Sequence, residues 1–151
     1  MKMKLYSQRD LRWAADKIGA SNLTVGRWGC CLSSIAMVAT YFGDDTNPSE
    51  LAHNVANYTK DGLIIWQNLR LPTMKFLKRT YGRDDNQIRE AIKNPDTAVI
   101  LQVNSGAHWV VALRGTLIGN SYIVADPWDG TKCDVLKKYH NVSGAAFFAR
   151  K

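Results

Sequence analysis

The sequence predicts an α+β fold, a single unit over residues 1–151, and three observations predict it. Apolar residues recur at helical spacing early in the chain, and β-rich runs separated by turn residues fill its later part. The hydrophobic content of 46% over 151 residues is enough to bury a core without disulfide staples. Helices first and an antiparallel sheet second is a layout whose two halves pack against each other.

The stretch from Leu5 to Trp28 is rich in Gly, Asn, Asp, Ser and Arg and has no sustained period. It reads as ordered loop with a short turn around Arg9 to Trp13, carrying Trp13 and Trp28 inward. From Cys31 to Phe42, residues Leu32, Ile35, Ala36, Ala39 and Phe42 lie on one face of an α-helix that ends at Gly43. This helix is expected to be central and mostly buried. Asn47-Pro48-Ser49-Glu50 supplies a cap, a proline at the first helical position and an acid three residues after the cap, starting a second helix through about Ala56.

Leu63-Ile64-Ile65-Trp66 fits either a short strand or a helix, whereas Pro72 to Lys78 reads as a helix start. A third helix runs from Asn86 to Lys93, capped by Asp84 or Asp85 and ended by Asn94-Pro95-Asp96. Three strands follow at Ala98–Val103, Ala107–Leu113 and Tyr122–Ala125, with Gly115 and Gly119-Asn120 as turn signals. Ala145 to Ala149 closes the chain as a last strand.

The formal net charge of +7 favours polyanionic surroundings: nucleic acid, anionic lipid, or the anionic polymers of a bacterial cell envelope. Nucleic acid is the least favoured partner, since there is no basic arm and no recognisable nucleic-acid motif. The basic concentrations Lys75 to Arg79 and Lys137-Lys138 read as solvated faces. No apolar stretch follows the N-terminal lysines and none approaches the eighteen or so residues needed to span a bilayer. The expectation is a cytoplasmic product as encoded, released, delivered to the envelope or virion-associated by other means.

Three cysteines cannot all pair within one chain, so at least one thiol is free. No C-x-x-C or H-x-x-x-H spacing occurs, and no metal or other cofactor is expected. Cys133, in a polar stretch, reads as an unremarkable thiol, and His53 and His140 as surface or packing residues.

Gly29-Cys30 opens the apolar helix. A thiol at a helix N-terminus sits where backbone N–H groups and the helix dipole stabilise its anion, which makes Cys30 a candidate nucleophile. Such a nucleophile needs an imidazole as base and later acid, and the imidazole needs an acceptor that fixes its tautomer. His108 opens one predicted strand and Asp126 ends the next, so hairpin pairing would bring them side by side. Trp109 and Trp128 directly follow these elements and are candidates to wall a cleft and bind substrate, with core filling as the plainer alternative.

The elements Gln8/Asp10/Trp13, Gly29-Cys30 with Ser33-Ser34-Ile35-Ala36-Met37, His108-Trp109-Val110 and Asp126-Pro127 occur in this order along nearly the whole chain. Together they resemble the bacteriocin-processing (double-glycine leader) peptidase-like branch of the papain-like cysteine peptidases. The resemblance implies a papain-like fold in which the cysteine-bearing helix packs on the antiparallel sheet. It implies Cys30 as nucleophile, His108 as general base and acid, Asp126 as orienting group and Gln8 as oxyanion donor. Cys31 departs from many relatives, yet Cys30 matches the Gly-Cys element and Cys31 would point about 100° away around the helix.

The function this implies is a cysteine hydrolase cleaving peptide (amide) bonds through an acyl-enzyme, with a bacterial or phage cell-wall peptide or a protein target as its substrate. Two alternatives stand beside it: a non-catalytic binding or inhibitory protein that keeps the fold, and an enzyme that transfers the acyl group to an amine.

Overall fold

A computed structural model describes residues 2–151. Its centre is a six-stranded antiparallel sheet in the order β1-β6-β2-β3-β4-β5, built from β1 (Met74–Tyr81), β2 (Thr97–Val103), β3 (His108–Gly115), β4 (Tyr122–Asp126), β5 (Thr131–Asp134) and β6 (Val142–Arg150). The helices are α1 (Val25–Trp28), α2 (Cys30–Tyr41), α3 (Pro48–His53), α4 (Asp85–Lys93) and α5 (Val135–Tyr139), with single 3₁₀ turns at Val55–Asn57 and Trp66–Asn68. Among the described residues, no helix is long and apolar enough to cross a membrane.

Strand alternation divides the interior into two apolar layers. Ile100, Trp109, Val111, Ala125 and Phe148 point to one face and meet Leu32, Ile35, Ala36 and Ala39 of α2. Leu101, Val110, Ala112, Tyr122 and Val124 point to the other, where Ile88 of α4 and Val135 of α5 cover them. Helix α2 is therefore enclosed by the sheet on one side and by the N-terminal loop and α3 on the other, with every residue from Leu32 to Thr40 buried. An apolar helix with no polar face is stable only in such a place.

The expected central helix, the Asn47 cap and the three β runs are present. Asn47 accepts a hydrogen bond from Glu50 N at 3.0 Å with Pro48 in the first turn, and Asp84 accepts from Gln87 N at 3.1 Å to start α4. Two expectations need correction here. Pro72 to Lys78 does not begin a helix: Met74–Tyr81 is edge strand β1, paired with β6 and bulged between Phe76 and Lys78. Pairing with β6 overrides the helix propensity of Met, Lys and Leu. Trp13 is buried at 3% exposure, but Trp28 is 52% exposed, because the single turn α1 presents it to solvent. The expected last strand from Ala145 is present as part of β6, which lies inside the sheet between β1 and β2.

Candidate functional site

Helix α1 runs into α2 with only Gly29 between them, and Gly29 N donates to Val25 O at 2.8 Å. A Cβ on Gly29 would lie 2.6 Å from Val25 O and 2.7 Å from Val25 Cγ1, so only glycine lets the two helices meet this closely. This junction places Cys30 at the first residue of α2, nearly buried but open to a cleft of about 400 Å³. The cleft is also lined by Gln8, His108 and Trp128.

His108 begins β3 and Asp126 ends β4, and His108 Nε2 lies 2.8 Å from Asp126 Oδ1. Both share the strand parity of the second apolar layer, and at the end of the sheet His108 comes beside Cys30 in the lining of the same cleft. With Nε2 engaged by Asp126, Nδ1 is the ring nitrogen left for the thiol. Burial pulls the His108 pKa down, but the hydrogen bond to Asp126 and the neighbouring Cys30 outweigh it and push it up to about 9.

The Asp126 carboxylate is fully buried and fully satisfied. Oδ1 also accepts from Trp128 N at 2.9 Å, while Oδ2 accepts from Lys138 Nζ and Tyr139 Oη, each at 2.5 Å. Burial alone would raise its pKa; the donors, His108 first and Lys138 next, hold it far below the usual carboxylate range. Lys138 and Tyr139 lie on α5, whose start is fixed by Asp134 accepting from Leu136 N at 3.2 Å. Sequence reasoning missed both residues and read Lys137-Lys138 as a solvated face. The signal for them is tertiary: only the packing of Val135 and Tyr139 against the sheet turns this short helix toward Asp126.

Gln8 is 1% exposed, although it comes from the N-terminal loop. Its N donates to Pro127 O at 2.6 Å, and Ser7 Oγ and Arg9 Nε both donate to Trp128 O, at 3.1 and 2.9 Å. The loop is thus clasped to the turn that follows Asp126. The Gln8 side chain donates from Nε2 to Gly26 O at 3.3 Å, which fixes the amide beside Cys30 in the cleft wall; its Oε1 is buried without a partner.

The structure brings Gln8, Cys30, His108, Asp126 and Trp128 together and leaves Trp109 out. Trp109, one residue past His108, necessarily faces the opposite side of β3. Its ring packs edge-on against Trp66 at 5.4 Å and under Arg79 at 4.9 Å in the α2 layer, so it fills core rather than walling the cleft. Cys31 points away from the cleft, and burial holds its thiol well above the ordinary range. Burial also raises the Cys133 thiol. His53 and His140 are exposed and do not line the cleft, although His140 directly follows Tyr139, which does. Among the described residues, no three His, Cys, Asp or Glu side chains are placed to share a metal ion.

A helix carrying a thiol on one face of an antiparallel sheet, with an imidazole and a buried carboxylate on adjacent strands, is the arrangement of a cysteine peptidase. The chain belongs to the Peptidase_C39 like family, whose family model matches residues 1–150. Its fold is similar to that of a double glycine motif protease from an AMS/PCAT transporter, solved in complex with the leader peptide. That match has a TM-score of 0.56 at 19% identity and covers 93% of this chain and 96% of the other. The comparison with curated proteins finds no significant match.

Proposed function

We propose that this chain, as one domain over residues 1–151, is a hydrolase that cleaves peptide bonds through a thioester on Cys30. The observation that carries the reading is His108, which shares the cleft lining with Cys30 and is hydrogen-bonded to a carboxylate that is itself saturated with donors. The Cys30 thiolate attacks the scissile carbonyl carbon while the Gln8 amide N–H stabilises the developing oxyanion. As the C–N bond breaks, the imidazolium of His108 gives its proton to the leaving amine. His108 then takes a proton from water, which attacks the thioester and releases the second product with Cys30 restored. Asp126 stays ionised throughout and holds the ring by Nε2.

The substrate class is peptide, and the solved neighbour's bound leader peptide supports that choice. The net charge of +7 favours targets in an anionic setting, with bacterial cell-wall peptides first among them. The intact Cys–His–Asp set beside an open cleft favours catalysis over a purely binding role, and transfer of the acyl group to an amine would use the same set.

The test joins labelling with turnover. Alkylation at mild pH followed by mass mapping is expected to label Cys30 before Cys31 and Cys133. Incubation with peptidoglycan and with a peptide library is expected to give cleavage that Cys30→Ala and His108→Ala abolish and Cys31→Ala retains. Equal slow labelling of all three thiols, or cleavage surviving in Cys30→Ala, would overturn the reading.

A further inference from the structure

The cleft is cationic in a way the proposed chemistry does not use. Two arginines stack on its two half-exposed indoles: Arg27 lies 5.4 Å from the Trp28 ring centroid and Arg9 4.4 Å from that of Trp128. Arg27 and Lys138 both line the cleft, and no carboxylate does, since Asp126 is sealed behind His108. The Lys138 charge is committed to Asp126 at 2.5 Å, and Arg9 is turned to Trp128 O. Arg27 differs from both. Its guanidinium is exposed and forms no ion pair with any carboxylate among the described residues; its stacking on Trp28 restricts the side chain without spending any of its hydrogen-bond donors. It also stands three residues before Cys30, at the end of the turn that leads directly into the nucleophile helix.

Resting on the peptidase reading, we propose that Arg27 is a specificity-determining residue that receives a carboxylate of the substrate, so that the cleft selects peptides with an acidic side chain next to the scissile bond. A planar guanidinium with free donors matches a carboxylate in two parallel hydrogen bonds, and its rigid placement lowers the ordering cost of binding. A neutral or basic residue at the same point leaves that match unmade or repels it.

Two thiol reagents of nearly equal shape test this without knowledge of the natural substrate. Iodoacetate and iodoacetamide both alkylate Cys30 by forming an S–C bond and releasing iodide; only the first carries a carboxylate. The readout is the ratio of the two rate constants at Cys30. Arg27→Gln is expected to lower the ratio by about threefold or more at low salt, Arg27→Lys to keep only the part that charge alone supplies, and 1 M salt to bring the wild-type ratio down toward that of Arg27→Gln. Lys93→Gln removes an equal charge from α4, away from the cleft, and is expected to leave the ratio unchanged. A ratio in Arg27→Gln equal to wild type, or an equal fall in Lys93→Gln, overturns the proposal while normal iodoacetamide reactivity leaves the peptidase reading standing. Failure of Cys30 to react ahead of the other thiols with either reagent overturns the peptidase reading and this proposal with it.

Discussion

Lys138 and Asp126 form an ion pair, Nζ to Oδ2 at 2.5 Å, whose carboxylate end is fully enclosed while the lysine side chain is 36% exposed at the cleft. The pair is asymmetric: the buried anion depends on the lysine, and the lysine could be solvated without the anion. Lys138 therefore acts on the proposed base indirectly, by keeping Asp126 ionised where it holds His108.

For Lys138→Met the expectation is a fall in kcat/KM of about tenfold, with the acid limb of its pH profile moved to higher pH. The stability cost is about 1–2 kcal/mol, less than for a wholly buried pair because the ammonium end is partly solvated. Lys138→Arg should restore the acid limb. A lowered melting temperature with an unmoved pH profile would make the lysine merely structural.

The two shifted groups also set how stability depends on pH. The folded His108 pKa, about 9, lies above its ordinary 6.5, so its contribution is complete below pH 6.5 and disappears as the pH rises through 9. The folded Asp126 pKa lies below the ordinary 3.8, so its contribution is present above that value and is lost as the pH falls further. Urea midpoints measured from pH 3 to 10 should be highest between about pH 4 and 6.5 and should decline toward pH 9, by at most about 3 kcal/mol for the histidine. His108→Gln should flatten the alkaline decline; a wild-type slope persisting in that variant would contradict the assignment.

Gly29→Ala tests the junction ahead of the thiol. The added methyl meets Val25 backbone and side chain at 2.6 to 2.9 Å, so α1 and α2 must move apart. The expected cost is about 1–3 kcal/mol, or roughly 3–10 °C in melting temperature, together with slower alkylation of Cys30. Melting and labelling that both match wild type would refute the close-approach account.

The two tryptophans should separate cleanly. Trp109→Ala removes a core side chain and is expected to cost about 3–5 kcal/mol. Trp128→Ala, 40% exposed at the cleft, should leave melting nearly unchanged and raise KM. Exchanged phenotypes would reverse their assigned places.

What the sequence revealed followed the range of its signals. Helix α2 and the Asn47 cap were readable because an uninterrupted apolar run and a three-residue capping pattern are local. Cys30, His108 and Asp126 were readable as candidates because each sits at an element boundary that chain order alone could align. Strand β1 was misread because its residues favour helix in isolation and acquire strand geometry only from β6. Strand β5 and helix α5 span four and five residues, too few for a period to show, and Lys138 and Tyr139 went unseen with them. Trp28 was misplaced because nothing in its neighbourhood distinguishes an indole that stabilises the interior from one left at a rim.

The thiol belongs to the layer on one side of the sheet, and the imidazole and carboxylate belong by parity to the layer on the other. Their meeting point is a seam, and a seam registers slippage before either half melts. The alkylation rate of Cys30 is accordingly expected to respond to how the halves sit on each other. A core substitution that hardens one half while nudging α2 is then expected to yield a sturdier molecule with duller chemistry, so durability and speed meet at this one junction.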